Sequence, residues 1–366
     1  MKAVDQRLEE AGSLLRSCTE ETSQERAWRI LSAQDHLQFV RERAPQREAL
    51  QRAENELLAA AKASGVRLKP PKWLLPPGLR DFDYIHTIRE GSASQPADAE
   101  GLSPGAGLER NLLIVLHGFG GNKAAFTTFA RKLQLPQTAV LVLNGPQALP
   151  DELLDHPPGF SWFDMLDEET GDFIQPSREE PRRVRSLEAS VALLWQMVHV
   201  LISYGSWTLN ELLLFGFGQG GTVALDMVLG SPQALPGQSL AAVIAVASEV
   251  MPERLLAKKP VAGQDAAVLL INGARDRSIS VKAAEASAQY LRQARGNVQL
   301  RVFKDRAGEM LRGHHAEESR CFMEFLSDNL HGVGRKGSEE AMRKLGAEPV
   351  VGPVPNPLVL SLNEMD

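Results

Sequence analysis

Between residues 111 and 330 the chain repeats one arrangement: a short run that is apolar at every position, a turn, and then a helical stretch. The runs are LLIVL at 112–116, then 139–143, 212–215, 241–247 and 268–271. A strand with one wet face alternates apolar and polar residues, so an uninterrupted apolar strand has to be covered on both faces. Residues 298–303 alternate instead, as expected nearer a sheet edge. Helical periodicity runs over 123–133, 178–203, 220–230, 281–294 and 316–330, and a capping box from Ser177 to Glu180 is expected to open the second of these. Strand and helix in alternation predict an α/β fold, a mostly parallel sheet with helices on both faces, across 111–330.

The flanks have a different texture. Residues 1–68 form a predicted helical N-terminal extension, charged and rich in Ala and Leu. Leu50, Ala53, Leu57 and Ala60 make one apolar stripe, Ala27, Ile30, Leu37 and Val40 a looser one, and Pro45 is expected to separate two helices. Stripes this narrow do not hold helices in water alone, so the helices of residues 1–62 must pack on each other, on the main domain, or on a protein partner. Residues 69–110 read as a Pro-rich joint (KPPKWLLPPG), a strand around Tyr84–Ile88 and a loose Ser/Ala/Pro/Gly loop at 91–109. Residues 331–366 read as an extended tail.

Charge narrows the classes of partner. Forty basic against 46 acidic residues give a formal net charge of −6, the wrong sign for a general nucleic-acid binder. No stretch approaches about 18 uninterrupted apolar residues, so no transmembrane segment is expected. The first residues, MKAVDQRLEE, turn acidic where a signal peptide turns apolar. Two cysteines, Cys18 and Cys321, make no disulfide framework, and a cytoplasmic location is the expectation.

In an open α/β sheet, ligands meet the carboxyl ends of the strands. Three segments follow such ends. His117-Gly118-Phe119-Gly120-Gly121 is a glycine-rich turn that can aim backbone N–H groups into a crevice, and its spacing is that of neither a dinucleotide-binding nor a P-loop motif. His117 itself reads as a residue that fixes the loop rather than a proton carrier. Gly216-Phe217-Gly218-Gln219-Gly220 has the outline of a G-x-S-x-G nucleophile elbow with Gly218 at the centre. Glycine tolerates the strained angles of that turn, so the bend can persist without a hydroxyl; the competing reading is an ordinary Gly-rich turn. Asp276, in the turn after the run ending at Ile271, is placed either as an acid that orients a histidine or as a solvated turn residue.

HGFGGNKAAF, LNGPQ, GFSWFD at 159–164, GFGQGG, SEVMP at 248–252 and INGARDRSIS, in that order, resemble the acyl-protein thioesterase, carboxylesterase and phospholipase family of α/β-hydrolases. The resemblance spans 111–330 and is most specific at Ser161-Trp162-Phe163-Asp164. It implies an α/β-hydrolase fold with neither cofactor nor metal, acting on acyl esters or thioesters, whether small molecules or acylated proteins. It further implies oxyanion N–H groups from Phe119 and Gln219, a pocket around Trp162, Phe163 and Asp164, and Asp276 as triad acid. The family register puts the histidine near Leu311 or Arg312, whereas the available imidazoles are His314 and His315, and it puts Gly218 at the position of the nucleophilic serine.

Loss of the serine alone costs a serine protease about 10⁶ in kcat, roughly 8 kcal/mol of barrier. Gln219 and Asn272 are not nucleophiles, Cys321 lies within the last helical stretch, and Thr222 and Ser248 fall off the elbow apex in the family register. Three readings follow: an impaired hydrolase that binds its ligand, an esterase in which His314 or His315 activates water directly, and a scaffold for an interaction arm at residues 1–62.

Overall fold

The computed structural model describes residues 2–16, 22–46, 48–86, 108–133, 135–154, 158–167, 169–177, 180–229, 235, 237–256, 265–294, 297–311 and 316–331. Cys18, residues 91–107 of the expected loop and residues 332–366 of the expected tail lie outside them. The chain forms α1 (Lys2–Arg16), α2 (Ser23–Arg43) and α3 (Glu48–Ser64), then β1 (Phe82–Ile85), β2 (Asn111–Leu116), α4 (Lys123–Leu133) and β3 (Thr138–Leu143). A small ribbon of β4 (Gln147–Ala148) and β5 (Phe160–Ser161) precedes the long α5 (Arg182–Ser203). Then come β6 (Leu212–Phe217), α6 (Gln219–Val228), β7 (Ala242–Val246), α7 (Pro252–Leu256), β8 (Ala267–Gly273), α8 (Val281–Ala294), β9 (Val298–Phe303) and α9 (Ala316–Asn329).

The main sheet has the order β1-β3-β2-β6-β7-β8-β9. All neighbours are parallel except β1, which closes one edge antiparallel to β3. The uninterrupted apolar runs follow from this layering. Leu112, Ile114 and Leu116 of β2 enter the core shared with α5, while Leu113 and Val115 enter the opposite core with Phe126 of α4 and Phe322 of α9. Each fully buried Leu, Val or Phe of these layers contributes about 1.5–3 kcal/mol of transfer free energy. β9, with only its end residues buried, is the second edge.

Two boundaries differ from the sequence pattern. The first strand begins at Phe82, two residues before the expected Tyr84, because Phe82–Ile85 is the stretch that pairs with β3, and Ile88 lies outside the described residues. α5 begins at Arg182, not 178, and the Ser177–Glu180 capping box does not form: Pro181 is the N-cap residue and its side chain makes no cap. A residue preceding proline is pushed out of the helical region, so the helix cannot extend back through Glu180; that carboxylate instead grips Arg182. By length and composition α5 is apolar enough to cross a membrane, but Leu187, Leu194, Trp195 and Val198 are buried in the sheet core.

The three N-terminal helices share a core of their own, with Ile30, Leu37, Leu50 and Leu57 at its centre. Tyr204, at the end of α5, belongs to that core, and Leu68 donates its N–H to Gly205 O (3.3 Å). Arg67 stacks over Trp207 (5.0 Å), pairs with Glu211 (2.6 Å) and donates to Ser206 O. The helices are thus seated in cis on the carboxyl end of α5, and the Pro-rich joint buries Leu75 and Leu79 on the way to β1.

Two stability measurements check this packing. Truncation of residues 1–64 uncovers Val66, Leu68 and Tyr204, all buried here, and is expected to lower the thermal midpoint of the remaining chain; an unchanged midpoint contradicts packing in cis. Arg306 and Glu318 form a fully buried pair at 2.9 Å. Arg306→Leu removes the buried cation of this pair and should lower unfolding stability by about 3–5 kcal/mol, read from the urea midpoint at neutral pH.

Candidate active site

The turn from β6 to α6 is held by its own backbone. Gly218 has φ +52° and ψ −119°, a region that favours glycine. Its N–H donates to Val246 O (2.9 Å), its carbonyl accepts from Gly221 and Thr222 (3.1 Å each), and Gly220 N–H donates to His117 O (3.1 Å). A Cβ on Gly216 would lie 2.4 Å from Gly220 O, and one on Gly220 would lie 2.5 Å from His117 O, so both glycines are required by backbone contact. At Gly218 the nearest atom to such a Cβ is Gly118 Cα at 3.6 Å, an ordinary contact. The apex therefore has room for a side chain, and only its φ disfavours one.

The glycine-rich loop after β2 is tied to this turn and to β5. His117 is wholly buried. Gly145 N–H donates to its Nε2 (2.9 Å), which leaves the proton on Nδ1, where it is donated to Gly118 O (2.7 Å). Burial pushes this imidazole down to about 4, so it is neutral near pH 7 and serves as a brace. Gly120 N–H and Phe160 O, and Phe160 N–H and Gly121 O, close a second clamp (3.0 and 2.9 Å). Gln219 is the first residue of α6, so its N–H has no acceptor within the helix. Its side-chain amide is spent on β5 and the following loop: Oε1 accepts from Trp162 N–H (2.8 Å) and Nε2 donates to Phe163 O (2.6 Å).

Above the turn lies a cavity of about 220 Å³ lined by Phe119, Phe163, Phe217, Gly218 and Gln219, with Glu249 and Asp276 among its charged residues. One carboxylate oxygen of Asp276 accepts from Ser278 and Ile279 N–H (2.8 and 3.0 Å). The other is buried and has no hydrogen-bond partner among the described residues. Across the cavity, burial pushes Glu249 up to about 7; Arg183 works against that rise, while Glu253 and Asp276 add to it. Ala247, next to the end of β7, has φ +49° and also lines the cavity, so two left-handed residues flank it. Among the described residues no group of three or more His, Cys, Asp or Glu side chains is arranged to hold a metal ion.

Residues 100–324, more than half of the chain, match the Phospholipase/Carboxylesterase family. The chain belongs to that family of α/β-hydrolases. Among curated proteins it resembles an uncharacterized hydrolase of Mycosarcoma maydis (33% identical over 126 residues, 34% of this chain and 44% of the relative). It also resembles an uncharacterized hydrolase of Schizosaccharomyces pombe (29% over 118 residues, 31% and 44%). The matched stretch thus spans less than half the length of either relative. Similar solved structures include esterase PE8 (TM-score 0.49, 23% identity, 61% of this chain and 94% of that one) and Zea mays acyl-protein thioesterase 2 (0.43, 18%, 60% and 94%).

Within this family member the structure brings Phe119, Phe163, Gly218, Gln219 and Asp276 to one cavity. Two of the residues expected to form the pocket do not line it. Trp162 is buried beneath the loop with its Nε1–H on His117 O (2.9 Å), because a bulky ring beside the Gly145 turn packs inward. Asp164 is not among the lining residues, and its Oδ1 accepts from Gln147 Nε2 (2.9 Å). His314 and His315 lie outside the described residues. The hydroxyls of Ser248 and Thr222 donate to backbone carbonyls of Gly218 and Glu249 (3.0 and 2.8 Å). Cys321, half-buried on α9, lines a different surface depression beside β9, with its thiol raised by burial.

Sequence reasoning missed Glu249 and Arg183 as cavity residues. For Glu249 the signal was present: it lies three residues past the end of β7, as Asp276 lies three past the end of β8.

The His117 brace gives a pH test. Its folded value lies below its unfolded value, so the unfolded chain takes the proton first, and the stabilisation is complete above about 6.5 and lost as the pH falls toward about 4. The urea midpoint of the parent is expected to fall across that window more steeply than that of His117→Gln.

Proposed function

We propose that this protein binds the carbonyl end of an acyl ester or thioester in the cavity beside Gly218 and forms no acyl-enzyme, because Gly218 stands at the position where the family resemblance implies a nucleophilic serine. The observation that carries this reading is the apex itself: a strained turn at the carboxyl end of β6, open to the cavity, with hydrogen and not a side chain on its Cα. In this reading the N–H groups of Phe119 and Gln219 face the carbonyl oxygen, Asp276 is the acid of the site, and an imidazole from His314 or His315 completes it. Backbone donors held by a braced loop are suited to charge on a carbonyl oxygen, since they need no reorganisation when that charge develops. The cavity, about 220 Å³, is smaller than the roughly 300–1,000 Å³ typical of sites that enclose drug-sized ligands. It accordingly takes the acyl carbonyl and the first carbons, with the remainder of the ligand outside.

Covalent chemistry separates this reading from that of an ordinary serine hydrolase. The purified full-length chain is expected to resist labelling by a fluorophosphonate, as judged by intact mass, and to show no burst with nitrophenyl esters. Gly218→Ser places a hydroxyl in the open apex at a strain cost of about 1–3 kcal/mol and is expected to become labelled at residue 218. Labelling of the parent at any residue of the cavity sinks the proposal.

A further inference from the structure

The cavity holds a carboxyl group that the family's covalent chemistry does not use. Glu249 sits on the first residues beyond β7, and its backbone is fixed against the elbow from two directions. Ser248 Oγ donates to Gly218 O (3.0 Å), and Thr222 Oγ1, from the first turn of α6, donates to Glu249 O (2.8 Å). The next residue is fixed as well: Val250 N–H donates to Ser287 Oγ of α8 (2.9 Å). The Glu249 side chain lines the same cavity as Gly218, Phe119 and Gln219, and no described residue hydrogen-bonds its carboxylate. The charged groups that face it are Arg183 from α5, Glu253 from α7 and Asp276 from the turn after β8. Arg183 is already engaged, with its Nε 3.3 Å from Glu253 Oε1 in a buried pair.

We propose that Glu249 is the general base of a direct, non-covalent hydrolysis: it activates a water molecule in the space left open at the Gly218 apex, for attack on an acyl ester or thioester. This rests on the reading above that an acyl carbonyl occupies the cavity. The Glu249 carboxylate takes a proton from water as the water oxygen bonds to the carbonyl carbon. The resulting oxyanion lies against the N–H groups of Phe119 and Gln219. Collapse of the tetrahedral species breaks the C–O or C–S bond, and the proton held by Glu249 passes to the departing alkoxide or thiolate. One water is consumed, a carboxylic acid and an alcohol or thiol leave, and Glu249 returns to its carboxylate form. A base works best when its proton affinity lies near the working pH, and the half-buried position of Glu249, which brings it to about 7, meets that condition where an exposed glutamate does not.

The test uses the purified full-length chain with nitrophenyl acetate and an acyl thioester as substrates, and an acyl methyl ketone as a ligand that cannot be hydrolysed. The parent is expected to turn over slowly in a single phase, with kcat/KM rising with pH through about 7. Glu249→Gln should lower kcat by about 10²-fold or more and remove the pH limb, with ketone affinity measured by calorimetry unchanged. Glu249→Asp, which keeps the carboxyl but withdraws it, should retain the limb at a reduced rate and guards against misreading a folding defect. Glu249→Gln turnover as fast as the parent's, or a parent that binds the ketone without hydrolysing either substrate, overturns the role of Glu249. Failure of the parent to bind the ketone overturns the acyl-binding reading instead.

Discussion

The site depends on one backbone contact, the approach of Gly220 to the carbonyl of His117, closed by an N–H···O bond of 3.1 Å. It joins the first turn of α6 to the loop after β2, and it brings the end of β6 and the glycine-rich loop to the same point above the sheet. No Cβ fits at Gly220 because His117 O and Leu116 O are both in the way. From this contact follow the left-handed angles of Gly218, the exposure of its Cα to the cavity, and the position of Gln219 at the start of the helix. His117 supports the contact from below as a neutral brace, its two ring nitrogens committed to Gly145 and Gly118.

Around that point the two kinds of polar group behave differently. Hydroxyls and amides are absorbed into the scaffold: Ser248, Thr222, Ser190 and the Gln219 side chain all bond to backbone of neighbouring elements. One oxygen of Asp276 is held by backbone N–H groups, but its other oxygen has no hydrogen-bond partner among the described residues, and Asp276 and Glu249 both line the cavity. Satisfying hydroxyls locally stiffens the walls, while partial burial raises the proton affinity of Glu249 and suits it to take up a proton near neutral pH. Both acids thus border a cavity whose apex, Gly218, bears no side chain.

Much of the frame was legible in the chain. The apolar runs at 112–116, 212–215 and 268–271 predicted strands covered on both faces, and the structure divides alternate residues of each between two cores. The glycine-rich turns and Asp276 were singled out because they follow strand ends, where a parallel sheet presents its ligands, and Phe119 through the family resemblance. The start of α5 was misplaced because a favourable capping pattern was weighed without the proline behind it. Trp162 and Asp164 were expected at the pocket because their motif is specific, but a specific motif can serve the underside of a loop as well as its lip. Glu249 went unnoticed because a glutamate after an apolar strand reads as a solvated turn residue until its neighbours are known.

The sequence by itself determined the layering, the positions of the tight turns and the lack of a hydroxyl at the elbow, since these depend on residue size, on periodicity and on which residues tolerate positive φ. Tertiary structure alone decided which side chains meet above the sheet: that Gln219 bonds to the loop after β5, that α1–α3 rest on Tyr204, and that Glu249 and Asp276 share a cavity with Gly218. Those outcomes depend on the juxtaposition of strand ends that are far apart in the chain, and on how far burial there removes water from a carboxyl group, a quantity that no local pattern of residues encodes.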